Sequence, residues 1–171
     1  MSDINSAVLA NRYVLQQGLD LLDRLSDEAY TSPRLNTSPV GAQYRHVLEH
    51  YHCFLEGLSS GRVDYDARRR DPALESSRAR AAQATRVVLA ELSGLGLDPE
   101  GALEVQMRSA AEADGPEWRP SSLGRELQFL VSHTVHHFAL IKLLLYGDDL
   151  ELAWDFGVAP SSVAYERARP R

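Results

Sequence analysis

Three histidines stand within one apolar stretch, Phe129-Leu130-Val131-Ser132-His133-Thr134-Val135-His136-His137-Phe138, and the other three within Arg45-His46-Val47-Leu48-Glu49-His50-Tyr51-His52-Cys53. Imidazole titrates closest to neutral pH of all side chains and is the commonest metal ligand, so the chemistry on offer is proton transfer or metal coordination. His133 and His137 are four residues apart. On a helix that spacing stacks two rings on one face and lets both ring nitrogens converge on a single ion, as zinc and other first-row metals require. His136 lies about 100° away around the helix and points to its flank.

A pair of imidazoles needs a third donor, and the earlier cluster offers several. Against an apolar stripe of Tyr44, Val47, Leu48, Tyr51, Phe54, Leu55 and Leu58, His50 and His52 fall on opposite flanks at similar angles, and His46 lies farther round. Periodicity therefore disfavours His46 and does not choose between the other two. His46 and His50 also form their own i, i+4 pair, which leaves a site using both open. Cys53 could be a soft ligand, although a free cysteine on a helix is more often a small buried residue. Glu49 and Glu56 could orient a ligating imidazole or act as a base, but their ordinary reading is as solvent-facing helix charges.

The elements that carry these residues read as helices. Ile4, Val8, Leu15, Leu19, Leu22 and Leu25 have one-sided helical spacing from Asp3 onward, with Ser2 or Asp3 as cap. Ser26 to Pro39 reads as a connection, and a second helix runs from Val40 to Leu58 before Ser59-Ser60-Gly61. Gly61 to Pro72 reads as a polar connection; its Val63-Asp64-Tyr65-Asp66 run could line a pocket mouth or bind a cation, but its ordinary reading is an exposed loop. A third helix spans Pro72 to Leu92, ended by Gly94 and Gly96, and the alternation Leu103 to Met107 suggests a short strand or extended arm. Glu112 to Pro120, with Asp114-Gly115-Pro116, reads as a loop. The last long helix spans Ser121 to Tyr146, capped by Ser121 or Ser122, with a core seam of Leu123, Leu127, Leu130, His133, His137, Leu140 and Leu144. The predicted fold is all-α, an antiparallel four-helix bundle with long crossover connections in a single domain over 1–171. Its core covers 3–146, and 150–171 forms an irregular C-terminal arm.

Composition narrows the functions. The chain of 171 residues carries 18 Lys+Arg against 24 Asp+Glu, a net charge of -6, which argues against phosphate-driven nucleic-acid binding. The one basic run, Arg68-Arg69-Arg70, is bracketed by Asp64, Asp66 and Asp71 and reads as a solvated, internally neutralised loop. Cys53 is the single cysteine, which excludes an intramolecular disulfide and a multi-cysteine zinc site and suits a reducing cytoplasm. No signal peptide and no membrane-spanning run is expected.

The motifs Val47-Leu48-Glu49-His50 and His133-Thr134-Val135-His136-His137 resemble those of the DinB-like superfamily of bacterial metal-binding four-helix proteins, a group that includes YfiT-like hydrolases and thiol-dependent transferases. The likeness runs from about Ser38 to Tyr146. It implies one histidine from the second helix and a His-x-x-x-His pair from a later one, holding a divalent ion such as zinc or nickel. Carried to this sequence, the ligands are His50, His133 and His137, with His46 as the alternative from the second helix. Three neutral imidazoles leave a divalent ion an open position. The implied activity is metal-dependent hydrolysis or thiol-dependent transfer on a small molecule, with a low-molecular-weight thiol as partner. The competing expectation is a non-enzymatic metal-binding or structural bundle that acts in stress response or as a homodimer through its apolar tail.

Overall fold

Helical spacing of apolar residues is realised in four long helices, while several of the expected connections hold short elements. In chain order these are α1 (Asp3–Arg24), α2 (Asp27–Thr31), α3 (Val40–Leu58), β1 (Arg62–Asp64), α4 (Pro72–Ser76), α5 (Arg78–Ser93), β2 (Ala102–Gln106), β3 (Trp118–Ser122), α6 (Leu123–Leu144) and α7 (Pro160–Ala168). The structure, a computed structural model, describes residues 3–95, 101–108 and 117–169. Helix α1 packs on α5 and α6, and α3 packs on the same two. Their shared core holds Leu21, Leu22, Tyr44, Leu48, Leu127 and Leu130, all essentially inaccessible to solvent. Among the described residues no helix is long and apolar enough to cross a membrane.

The protein is mostly helical rather than all-α. The expected extended arm is β2, the middle strand of a small sheet in which it pairs in parallel with β1 and antiparallel with β3. Leu103 turns inward while Ala102 and Glu104 face out, so the period-two pattern was a strand signal. The Val63 to Asp66 run is not an exposed connection: Val63 and Tyr65 are both fully buried. A three-residue strand is too short for periodicity to reveal.

The expected helix from Pro72 to Leu92 is broken at Ser77, whose extended backbone closes α4 and whose side chain caps α5 by accepting from the Arg80 N–H. The break lets α4 press against α3 at Gly41, where a Cβ would run into the carbonyl oxygen of Glu75. Ser122 caps α6, while Ser121 turns instead to the Glu126 carboxylate. Gly94 caps α5, whereas Gly96 and Asp114-Gly115-Pro116 lie outside the described residues.

The arm is only partly irregular, because residues 160–168 form α7 with Pro160 in its first turn. Before it, the arm is anchored on α1 and α6. Phe156 stacks on Phe138 with centroids 4.9 Å apart, and buried Asp155 accepts from Tyr13 Oη at 2.6 Å and Gln17 Nε2 at 2.9 Å. Gly157, at φ +68°, brings the backbone so close to Ala139 that a side chain there would collide with it.

The deep seam of α6 is Leu123, Leu127, Leu130, Thr134, Phe138 and Ile141, so the expected seam slips by one residue after Leu130. Leu140 is 37% exposed, and His133 and His137 sit half-buried at the seam's edge rather than in it. Thr134 can lie inside because its hydroxyl donates to the Leu130 carbonyl at 2.7 Å. Beside it, fully buried Asn11 donates to the carbonyls of Ala7 and Leu127 and accepts from Tyr51 Oη at 2.8 Å. That network fixes α1, α3 and α6 in one register. Asn11→Ala leaves the Tyr51 hydroxyl only Thr134 Oγ1 as partner, at 3.1 Å, and removes a donor from the Leu127 carbonyl; it should cost about 1–3 kcal/mol, read as a lower midpoint in urea unfolding.

Candidate metal centre

Helices α3 and α6 bring four imidazoles together. His46 lies 4.6 Å from His50, 5.0 Å from His133 and 4.6 Å from His137, measured between ring centroids. His50 and His133 are closer still at 4.0 Å, and His133 and His137 stand 4.6 Å apart. The i, i+4 spacing on each helix produces the vertical pairs, and the packing of α3 on α6 produces the cross pairs. His46, His50 and His133 each present one ring nitrogen within 4.8 Å of the others. His137 joins the cluster through its ring contacts with His46 and His133. His46, which the apolar stripe disfavours, therefore lies among these rings, because α3 turns its flank and not its stripe toward that edge of α6.

Hydrogen bonds fix the tautomers of two rings. His50 Nδ1 lies 2.7 Å from the His46 carbonyl oxygen, and His137 Nδ1 lies 2.7 Å from Gln43 Oε1. Both oxygens only accept, so each ring carries its proton on Nδ1 and keeps the Nε2 lone pair. Orientation of a ring through its second nitrogen is the usual setting of a metal-ligating histidine. His133 Nδ1 is buried and has no hydrogen-bond partner among the described residues.

Burial dominates the protonation of these rings. It lowers His46, His50 and His137 to about 4 from an ordinary 6.5. For His46 the neighbouring His50 and Arg68 add to the effect; for His50 the bond to the His46 carbonyl opposes it, and Arg68 again lowers it. His133, flanked by His50 and His137, is pushed lowest. At neutral pH every ring is uncharged, which is the ligand form.

The residues fit a divalent ion. Ligands about 2.0–2.1 Å from a tetrahedral ion lie about 3.3 Å from one another, so nitrogens within 4.8 Å need to close by about 1.5 Å at most. The orphaned His133 nitrogen and the neutral, pre-oriented rings argue the same way.

The surroundings divide into a wall and a loop. Tyr65 stacks on His50 at 5.5 Å, Phe129 on His133 at 5.6 Å, and the two aromatic rings meet at 5.1 Å. Buried Glu126 holds Tyr65 in place by accepting from its hydroxyl at 2.9 Å and from Ser121 Oγ at 2.5 Å. Behind this wall lies a cleft of about 330 Å³ bordered by Tyr65, Val105, Arg125, Glu126 and Phe129. A groove of about 610 Å³ between α1 and the arm is larger but mostly apolar and borders none of the imidazoles, so size does not mark the site. On the loop side, Arg68 donates to His50 Nε2 at 3.0 Å.

Several expectations change here. Arg68 is not part of a solvated run: it is half-buried against His50, whereas Arg69 pairs with exposed Glu56 at 2.6 Å. Glu49 is buried, not solvent-facing, because the chain following β1 folds over it and its carboxylate accepts from the Asp71 N–H at 2.7 Å. His52 is half-buried and makes none of these ring contacts, its neighbours being Glu56, Arg69 and Glu91. His136 is exposed, with only its ring edge near His137. Cys53 is a half-buried packing residue whose thiol burial pushes up to about 11. Gln43, Phe129 and Arg68 were missed as site residues, and Tyr65 was set aside with its run as an exposed loop although it stacks on His50. Gln43 alone had a usable signal, since it and His46 are three apart on the face that leads to the cluster.

The sign of the pH dependence follows from these shifts. The folded pKa values near 4 lie below the ordinary 6.5, so the unfolded chain takes up protons first as pH falls. Stability is complete above that upper value and is lost progressively toward the lower one. Thermal unfolding of metal-free protein should show a midpoint falling between about pH 6.5 and pH 4, and His46→Gln should flatten the slope by up to about one proton.

A family model described as the DinB superfamily matches residues 12–141. No curated protein and no solved structure matches the chain. The matched span contains all four clustered imidazoles and well over half of the residues, and the chain belongs to the DinB superfamily.

Proposed function

We propose that the chain is a divalent-metal-binding bundle of its four long helices and acts as a metal-dependent hydrolase or thiol-dependent transferase on a small molecule. The observation that carries this is the convergence of ring nitrogens from His46, His50 and His133 within 4.8 Å. His50 and His133 belong to that group and equally to the His50, His133 and His137 set that the family resemblance implies, so the third donor is His46 or His137. Zinc or nickel suits an all-imidazole donor set.

A divalent ion on three imidazoles supplies Lewis acidity at an open coordination position. The chain's own groups do the rest. Burial keeps the donors unprotonated, the His46 carbonyl and Gln43 orient two rings, and the Tyr65–Phe129 pair keeps bulk water off one side. The transferase branch needs a thiol from solution, because the Cys53 thiol, near 11, stays protonated. That free thiol and the absence of cysteine pairs suit a cytoplasmic setting.

Protein purified without an affinity tag under metal-replete conditions should carry stoichiometric zinc or nickel by elemental analysis. His133→Ala and His50→Ala should lose it, and of His46→Ala and His137→Ala the one that removes the third donor should weaken binding at least about tenfold. Absence of metal from the parent protein would falsify the centre. A screen of electrophiles with and without a small thiol separates the two classes: an enzyme loses turnover in His133→Ala while keeping its helical circular dichroism. A non-enzymatic metal protein shows no turnover in either form.

A further inference from the structure

Arg68 occupies the position a ligand ion would need. His50 presents a single lone pair, on Nε2, and the Arg68 guanidinium sits on it at 3.0 Å. An ion bound there stands about 2.0–2.1 Å from the same nitrogen, which leaves about 1 Å to the arginine nitrogen. The two cannot coexist.

The loop that carries Arg68 is built, not slack. At one end Asp64 Oδ1 accepts from the backbone N–H groups of Asp66 and Ala67, and at the other the Asp71 N–H is held by buried Glu49. Arg70 between them adopts a left-handed backbone at φ +52°. The acids of this loop, and Glu56 on α3, each hold another group. Asp64 Oδ2 accepts from Gln106, Asp66 from the Arg108 N–H, Glu56 from Arg69, and Asp71 from the Ala73 N–H. Arg68 has no carboxylate partner among the described residues, and the imidazoles facing it bring no negative charge. Loading a divalent ion would therefore set its charge beside a displaced guanidinium that has no carboxylate hydrogen-bonded to it among the described residues.

We propose that Arg68 is a built-in competitor for the metal position that becomes an anion anchor on loading, so that the substrate carries an oxyanion, a carboxylate or phosphate group, bound between the ion and the guanidinium fork. This rests on the metal-centre reading above and deepens it to a substrate class. The planar guanidinium binds such groups through two parallel hydrogen bonds, which a lysine cannot do.

The test is a zinc titration by calorimetry of the parent protein, Arg68→Gln and the neighbouring control Arg69→Gln, each with and without acetate or methyl phosphate. Without an anion, Arg68→Gln should bind zinc about tenfold tighter than the parent, because the charged competitor is gone, and Arg69→Gln should match the parent. Acetate or methyl phosphate should tighten zinc binding to the parent and to Arg69→Gln by about fivefold or more, and this coupling should vanish in Arg68→Gln. Circular dichroism melts establish that the variants are folded, and Arg68→Lys, which keeps the charge without the fork, should lose most of the coupling. Equal zinc affinity in parent and Arg68→Gln, or coupling that survives the substitution, overturns the proposal while leaving the metal centre standing. Failure of every protein to bind zinc overturns the centre and this proposal together.

Discussion

Four imidazoles share one poorly solvated space between α3 and α6, and they can do so only while uncharged. Two unit charges about 4 Å apart, the His50–His133 spacing, repel by about 4 kcal/mol even at an effective dielectric constant of 20, before either pays for its desolvation. Burial thus keeps the first proton out, and the crowding of the rings opposes a second. The same crowding gathers neutral nitrogen donors from two helices within 4.8 Å of one another, the spacing a cation can use. What makes the group costly as packing makes it competent as a donor set.

The choice of neighbours follows from that constraint. The groups that orient His50 and His137 are a backbone carbonyl and a side-chain amide, both neutral acceptors that fix a tautomer without stabilising the imidazolium. Two buried carboxylates lie close in sequence to the histidines, and both are turned elsewhere. Glu49 holds the start of α4 through the Asp71 N–H, and Glu126 holds Tyr65 and Ser121. A carboxylate turned onto the rings would raise their affinity for protons and cancel the effect of burial. Glu126 instead acts at one remove, by fixing the aromatic ring that stacks on His50.

Much of this was legible in the sequence, and the losses have identifiable causes. Helix α3 was readable to its ends because an unbroken apolar stripe is followed by Ser59-Ser60-Gly61, whose glycine takes a left-handed turn at φ +69°. The His133–His137 pair was readable because i, i+4 spacing fixes a shared face whatever that face packs against. The exact face was not, since Thr134 counts as polar until its hydroxyl finds the Leu130 carbonyl inside the same helix. Glu49 and Arg68 were misread for one reason: a charged residue is solvent-facing by default, and only a tertiary partner overrides that default. His46 was undervalued because an apolar stripe reports what a helix face buries in the core, whereas a metal site sits at the rim where the faces of two helices meet. Three-residue β1 and short α7 lie below the length at which periodicity speaks.

The surroundings of His50 are asymmetric, and the asymmetry comes from the chain order. The segment leaving α3 first forms β1 and delivers Tyr65 to the face of the His50 ring, then turns through Asp64 and Asp66 and delivers Arg68 to its Nε2 edge before α4 begins at Pro72. One short stretch thus closes the imidazoles with an aromatic ring and faces them with a cation. The aromatic side is held by buried groups, namely Glu126, Ser121 and the core around Val63. The cationic side is held by backbone N–H bonds on a half-exposed loop, which yields at lower cost than a packed core. The charge that stands beside His50 Nε2 is therefore set by this loop and not by the histidines.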